Sequence, residues 1–110
     1  MRVHLIKKET VRHYIKNNAR TKNSIEDWIE KIKYANWIYP NDIKSTFNSV
    51  DFLGNGSDRV VFNIGGNNDR IICKYVFGKF QVHLFVCWIG SHAAYDKLCI
   101  GNGQYVVSKF

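Results

Sequence analysis

From Asp58 onward the apolar positions recur every second residue. This period predicts strands near 58–64, 69–77 and 80–89, joined by turns at Gly65-Gly66-Asn67-Asn68 and Gly78-Lys79. The first half of the chain has a different rhythm. Val3-His4-Leu5-Ile6 reads as a short opening strand, and Val11, Tyr14 and Ile15 fall at helical spacing within Lys7 to Ala19. Ser24 offers a capping oxygen with Asp27 three residues on, and Ile25, Trp28, Ile29, Ile32 and Ala35 then line one face of a second helix. Asn36 to Asn41, with Pro40, ends that helix. Residues 42–57 read as a long connection closing on Gly54-Asn55-Gly56-Ser57, whose GxG lacks the third glycine and the leading strand of a dinucleotide fingerprint and so is a turn. The pattern is that of a single α+β domain over residues 1–110.

A two-residue turn at Gly78-Lys79 would oppose Phe77 to Phe80 and sort the side chains of the hairpin by face. One face carries Ile71, Cys73, Tyr75 and Phe77 with Phe80, Val82, Leu84, Val86 and Trp88, an apolar set suited to packing on the two helices. The other carries Arg70, Ile72, Lys74 and Val76 opposite Cys87, Phe85, His83 and Gln81, with Arg70 and Lys74 about 13 Å apart along their strand.

Composition narrows the class. Apolar residues make up 45% of the 110-residue chain and no Gly/Ser/Pro-rich linker divides it, so it folds as one core rather than two or none. No apolar run approaches the roughly 18 residues that cross a bilayer, and no signal-peptide core follows Met1, so a cytoplasmic protein is expected. Cys73, Cys87 and Cys99 are odd in number and lack CxxC spacing, which fits free thiols rather than a disulfide framework or zinc knuckle. The net charge of +7 is shared by both halves, with 10 basic against 6 acidic residues in positions 1–55 and 6 against 3 thereafter. Such a surface favours phosphate-rich partners through counterion release. Lys8, Arg12 and Lys16 stack at four-residue spacing on the first helix, which suits a solvated face as well as an RNA contact.

The second sheet face gathers the candidate chemistry. Arg70 and Lys74 offer cations, Phe85 a ring on which an unstacked base can lie, and His83 beside Lys74 an imidazole biased towards its neutral form. An ordinary half-solvated sheet presents the same mixture. Past the last strand Ser91 caps a short helix on which His92 shares a side with Tyr95 or Asp96. Metal-free RNA cleavage needs a base for the ribose 2′-OH, positive charge for the phosphorane and an acid for the leaving oxygen, and these residue types supply all three. A cap or a satisfied polar contact would account for His92, and a packed ring for Tyr95. No carboxylate cluster or HxxxH spacing suggests a metal.

Two blocks go further. Phe62-Asn63-Ile64-Gly65-Gly66-Asn67-Asn68-Asp69-Arg70 and Gly90-Ser91-His92-Ala93-Ala94-Tyr95-Asp96-Lys97 resemble the signature of HigB-type toxins, the RelE-like mRNA interferases of bacterial toxin–antitoxin pairs. Asp42-Ile43-Lys44 and Asp51-Phe52-Leu53 extend the likeness to roughly residues 25–98. The resemblance implies two N-terminal helices packed on a twisted, mainly antiparallel sheet with a short C-terminal helix. It implies a ribosome-dependent endoribonuclease that cuts mRNA in the ribosomal A site by 2′-OH attack without cofactor or metal, paired with a HigA-type helix-turn-helix antitoxin. Arg70, Lys74, His92 and Tyr95 would be catalytic, and Asn63, Asn67, His83, Phe85 and Lys97 would bind RNA. The chain departs from the pattern at Asp69, where Tyr is common, at Ala94, where Glu is usual, and at Cys87, where an Arg is expected. The last departure leaves open an attenuated toxin or a non-catalytic RNA- or ribosome-binding module. A basic interaction domain for an acidic partner is a third alternative.

Overall fold

The computed structural model describes residues 1–66 and 68–109; Asn67 lies outside them. The chain runs β1 (Val3–Ile6), α1 (Lys8–Asn17), α2 (Lys22–Tyr34), α3 (Ile43–Thr46), β2 (Val50–Leu53), β3 (Arg59–Ile64), β4 (Asp69–Phe77), β5 (Val82–Ser91) and α4 (His92–Ile100). The sheet order is β1-β5-β4-β3-β2, with β1 parallel to β5 and the other neighbours antiparallel. The α+β class, the two N-terminal helices and the mostly antiparallel sheet are as the periodicity predicts.

The helical apolar stripes explain the main core. Val11 of α1 and Ile25, Trp28, Ile29 and Ile32 of α2 are buried against Val60, Phe62, Ile71, Cys73, Val82, Leu84 and Val86 on one sheet face. Trp28 and Phe47 meet the Phe62 ring edge-on at 5.3 and 5.0 Å. Helix α2 begins at Lys22, earlier than a cap at Ser24 would allow. It continues directly from a 3-10 turn over Ala19–Thr21 whose last residue is already in the right-handed helical region, so no side-chain cap is used. The connection after Pro40 is more ordered than its sequence suggests. It contains α3 and the edge strand β2, whose Val50 and Phe52 pack on the main core.

The β4–β5 hairpin departs from the predicted register. Gly78 N–H donates to Gln81 O, so the loop spans four residues and Phe77 pairs with Val82. Phe80 therefore leaves the apolar face and is 83% exposed. A shift of two residues preserves the facing of side chains up to the Cys73–Val86 pair. Beyond it a β-bulge interrupts the ladder, and Ile72 pairs with Trp88. Cys87 is the extra residue, so Trp88 crosses to the second face rather than joining the helices.

That second face is consequently not open throughout. Val61, Ile72, Cys87 and Trp88 form a smaller apolar cluster roofed by Leu98 and Tyr95 of α4 and by Val107. The C-terminal segment, without an assigned role in the sequence, lies over this cluster: Lys109 N–H donates to Cys87 O, and Arg59 donates to the carbonyls of Gln104 and Val107 at 3.2 and 2.6 Å.

Candidate nucleic-acid interface

The β3–β4 turn sets the first part of the site. Gly65 and Gly66 take φ of +60° and +70°, a left-handed region that glycine enters without steric cost, and the chain reverses directly into Asp69 and Arg70. Asp69 is fully buried and its Oδ1 accepts a hydrogen bond of 2.9 Å from the Tyr14 hydroxyl, while Oδ2 has no hydrogen-bond partner among the described residues. Burial, reinforced by the Asp69 carboxylate, raises the Tyr14 hydroxyl from its ordinary value to about 12. An aspartate in this position is thus tied to α1.

Arg70 pairs with Asn63 on one side and Gly90 on the other. A Cβ on Gly90 would lie 2.6 Å from the Trp88 indole, so the absence of a side chain there is what lets the indole fold back beside the Arg70 strand. The Arg70 side chain is mostly buried, and Nη1 donates to the Asp69 carbonyl at 3.1 Å. Asn63 is committed to the fold, since its amide nitrogens bond Ser49 O and Ser49 Oγ.

Strand β5 passes into α4 without a loop. Ser91 Oγ accepts from Ala94 N–H at 3.1 Å, the cap predicted from the sequence, and His92 N–H donates to Asn68 O. His92 is therefore held two residues beyond Gly90, with Nδ1 3.4 Å from the Asp96 carboxylate one turn later. Tyr95 turns inward, its ring 6.1 Å from that of Trp88. Burial, then a hydrogen bond with the Cys99 thiol, then the Asp51 carboxylate push its phenol well above the usual range, with Arg70 pulling the other way. Tyr95 is accordingly a neutral phenol near Arg70 at ordinary pH, able to donate a hydrogen bond and unable to serve as a base. Lys97 is exposed on the outer side of α4. Among the described residues no three His, Cys, Asp or Glu side chains are grouped to hold a metal ion.

The remaining predicted residues stand elsewhere. Lys74 pairs with Arg59 and Phe85, not His83; His83 pairs with Val76 and His4, its ring 5.9 Å from that of His4 and 6.4 Å from that of Phe85. Lys74 is therefore not the direct cross-strand neighbour of His83 that the predicted register made it. Nor does Cys87 oppose Arg70. It is 5% exposed in the bulge, with Gly90 in the place the predicted register gave it. The Arg70 row and the Lys74 row lie at opposite ends of the second apolar cluster, so the face carries two groups rather than one: Arg70, Tyr95 and His92 at the α4 end, and Lys74, Phe85 and His83 at the other. Arg59 and Lys7 join the latter around a cavity of about 490 Å³. Arg59 was legible in principle, because pairing across the Gly65–Asn68 turn runs Ile64 against Asp69 and hence Arg59 against Lys74. Lys7 carries no such signal.

A family model described as HigB_toxin, the RelE-like toxic component of a toxin–antitoxin system, matches residues 21–98. A protein of Escherichia coli O6:H1 named mRNA interferase HigB is 26% identical over 96 residues, covering 87% of this chain and 91% of its own.

Proposed function

Since the chain belongs to the HigB family of RelE-like toxic components of toxin–antitoxin systems, we propose that it is a ribosome-dependent mRNA endoribonuclease, held in check by a cognate antitoxin of the HigA type. Acting on translating ribosomes, it would work in the cytoplasm, with the message presented in the ribosomal A site. The observation that carries this reading is the convergence of Arg70, Tyr95 and His92 where β4, β5 and α4 meet.

The chemistry follows from the side chains. The Arg70 guanidinium holds the scissile phosphate and offsets charge developing on the phosphorane. A base takes the proton of the ribose 2′-OH as that oxygen attacks the adjacent phosphorus; the P–O5′ bond breaks, and an acid returns a proton to the departing oxygen. The products are a 2′,3′-cyclic phosphate and a 5′-hydroxyl. His92 suits proton transfer because its Nδ1 faces Asp96, which orients the ring and leaves Nε2 for the substrate. Tyr95, held neutral, donates to the phosphate or stacks on the message. Asn63 and Lys97 flank this end, with Lys97 supplying exposed charge to the RNA backbone. The interruption at Cys87 favours a slower enzyme or a non-catalytic ribosome-binding module as second reading, since a buried residue stands where a cation is usual.

Ribosome-programmed cleavage with mapping of the product ends tests the proposal. Arg70→Ala is expected to lower the rate by roughly 10²-fold or more with the fold intact. Cyclic or 3′-phosphate ends in the presence of chelator support the mechanism, with ribosome integrity checked separately; 3′-hydroxyl ends and a magnesium requirement in the chemical step refute it.

A further inference from the structure

We propose that Lys7, Arg59 and Lys74, with Phe85 as their base platform, form a second RNA subsite that grips a phosphodiester outside the scissile position. The proposal rests on the reading that this protein acts on RNA, and it concerns the end of the sheet face away from Arg70.

The argument begins with Arg59. The residue is 7% exposed, and its guanidinium donates to the main-chain carbonyls of Gln104 and Val107. Among the described residues it makes no ion pair. A buried cation satisfied only by neutral carbonyls is stabilised by any anion that can approach it. The approach exists. The cavity of about 490 Å³ is lined by Arg59, Lys7, Lys74, Phe85, Cys87 and Ser108 among others, and no acidic side chain among the described residues lines it. Three cations around one concavity repel one another, and an anion that enters relieves that repulsion.

Lys7 adds an independent observation. It precedes α1 with φ of 71°, a left-handed conformation that strains a side-chain-bearing residue and that glycine adopts freely. Lysine is thus used where the backbone favours glycine, at a position that lines the cavity. On the same face, the rings of His4, His83 and Phe85 follow one another at 5.9 and 6.4 Å. Phosphate-binding cations beside a row of rings match single-stranded RNA, in which each phosphate is followed by an unstacked base. Free phosphate shares the first half of that chemistry and has no use for the second.

The test is fluorescence anisotropy with a 2′-O-methyl hexaribonucleotide, which cannot be cleaved by 2′-OH attack, across a salt series. Lys7→Gly and Lys74→Gln are each expected to weaken binding roughly fivefold at low salt and to lower the slope of log K against log salt by about 0.7. Lys7→Gly keeps the fold, because glycine relieves the left-handed strain, and its melting temperature should equal or exceed that of the parent. Phe85→Ala should weaken binding without changing the slope. Parent-like affinity and slope in both lysine variants overturn the subsite, as does failure of the parent to bind the hexamer. Displacement of the hexamer by millimolar inorganic phosphate, with no effect of Phe85→Ala, replaces RNA by phosphate ion and overturns it equally. Ribosome-programmed cleavage, measured alongside, keeps the two readings apart: absent cleavage with the expected binding pattern sinks the nuclease and leaves the subsite standing, and the reverse sinks the subsite alone.

Discussion

Replacing Arg59 by leucine should release the C-terminal segment without unfolding the sheet. The guanidinium is the polar anchor of that segment, donating to Gln104 O and Val107 O. Hydrogen bonds from a charged donor contribute about 1.5–3 kcal/mol each, and the lower figure applies because carbonyls freed by undocking regain water. Two such bonds give about 3 kcal/mol, or on the order of a hundredfold in the docking equilibrium. Leucine suits the position because its neighbours on the second face, Leu53 and Val61, are apolar. Removing a buried cation that has no ion-pair partner among the described residues also offsets part of the loss in global stability. Hydrogen exchange separates local from global effects. The Lys109 amide, bonded to Cys87 O, should exchange on the order of a hundredfold faster in Arg59→Leu, whereas amides of the β3–β4 ladder should keep nearly their parental protection. Unchanged protection at Lys109 would show that apolar contacts alone hold the segment. An equal loss at Lys109 and throughout the sheet would make Arg59 a strut of the core rather than a clamp.

Cys87→Arg should lower the melting temperature and fail to raise cleavage, because burying an unpaired charge in the bulge, beside the cations of the Arg59 cavity, costs several kcal/mol; a stable variant with faster cleavage would contradict the register. Thiol labelling of the native protein should modify half-exposed Cys99 first and reach Cys73, whose thiol burial pushes well above its usual range, only on unfolding; early labelling of Cys73 would contradict its packing. The Tyr14 hydroxyl is raised from 10.0 to about 12 in the folded state, so its contribution to stability is complete below pH 10 and lost as pH climbs through 12. Tyr14→Phe should therefore lower stability at neutral pH by about 1–3 kcal/mol, by leaving Asp69 without its donor, and should flatten the alkaline decline; a parallel curve would refute the coupling.

Residues whose structure is decided locally were legible in the sequence. The apolar stripe from Ile25 to Ile32, the alternation of β3 and β4, and the Ser91 cap each follow from a few adjacent side chains. The register of β4 on β5 was not, because Gly78-Lys79 allows a two-residue turn as readily as the four-residue loop that forms, and only tertiary packing decides between them. The roof over the second face was hidden for a related reason. Tyr105-Val106-Val107 contains two adjacent valines with opposite fates, Val106 exposed and Val107 against Trp88's cluster, so no period of 2 or 3.6 announces it. For the candidate site, Arg70, His92 and Tyr95 came from matched motifs, whereas the cavity around Arg59 and Lys7 depends on side chains 52 residues apart in sequence.

One extra residue links these features. Without the bulge at Cys87, alternation along β5 would send Trp88 to the helix side and Cys87 to the pairing position opposite Ile72. With it, the indole stands on the second face, where it forms an apolar floor with Val61 and Ile72. That floor gives α4 something to pack on, although the helix has no fully buried residue of its own, and so turns Tyr95 inward towards Arg70. Gly90 completes the arrangement by leaving room for the ring. The bulge also lets Cys87 O receive the Lys109 amide, closing the segment that divides the Arg70 end from the Lys74 end. A cation at position 87 would have to share this crowded, largely apolar ground with Trp88 and Val107. The cations of the face accordingly stand on either side of the cluster, where Arg70 meets α4 and where Arg59, Lys74 and Lys7 surround open space.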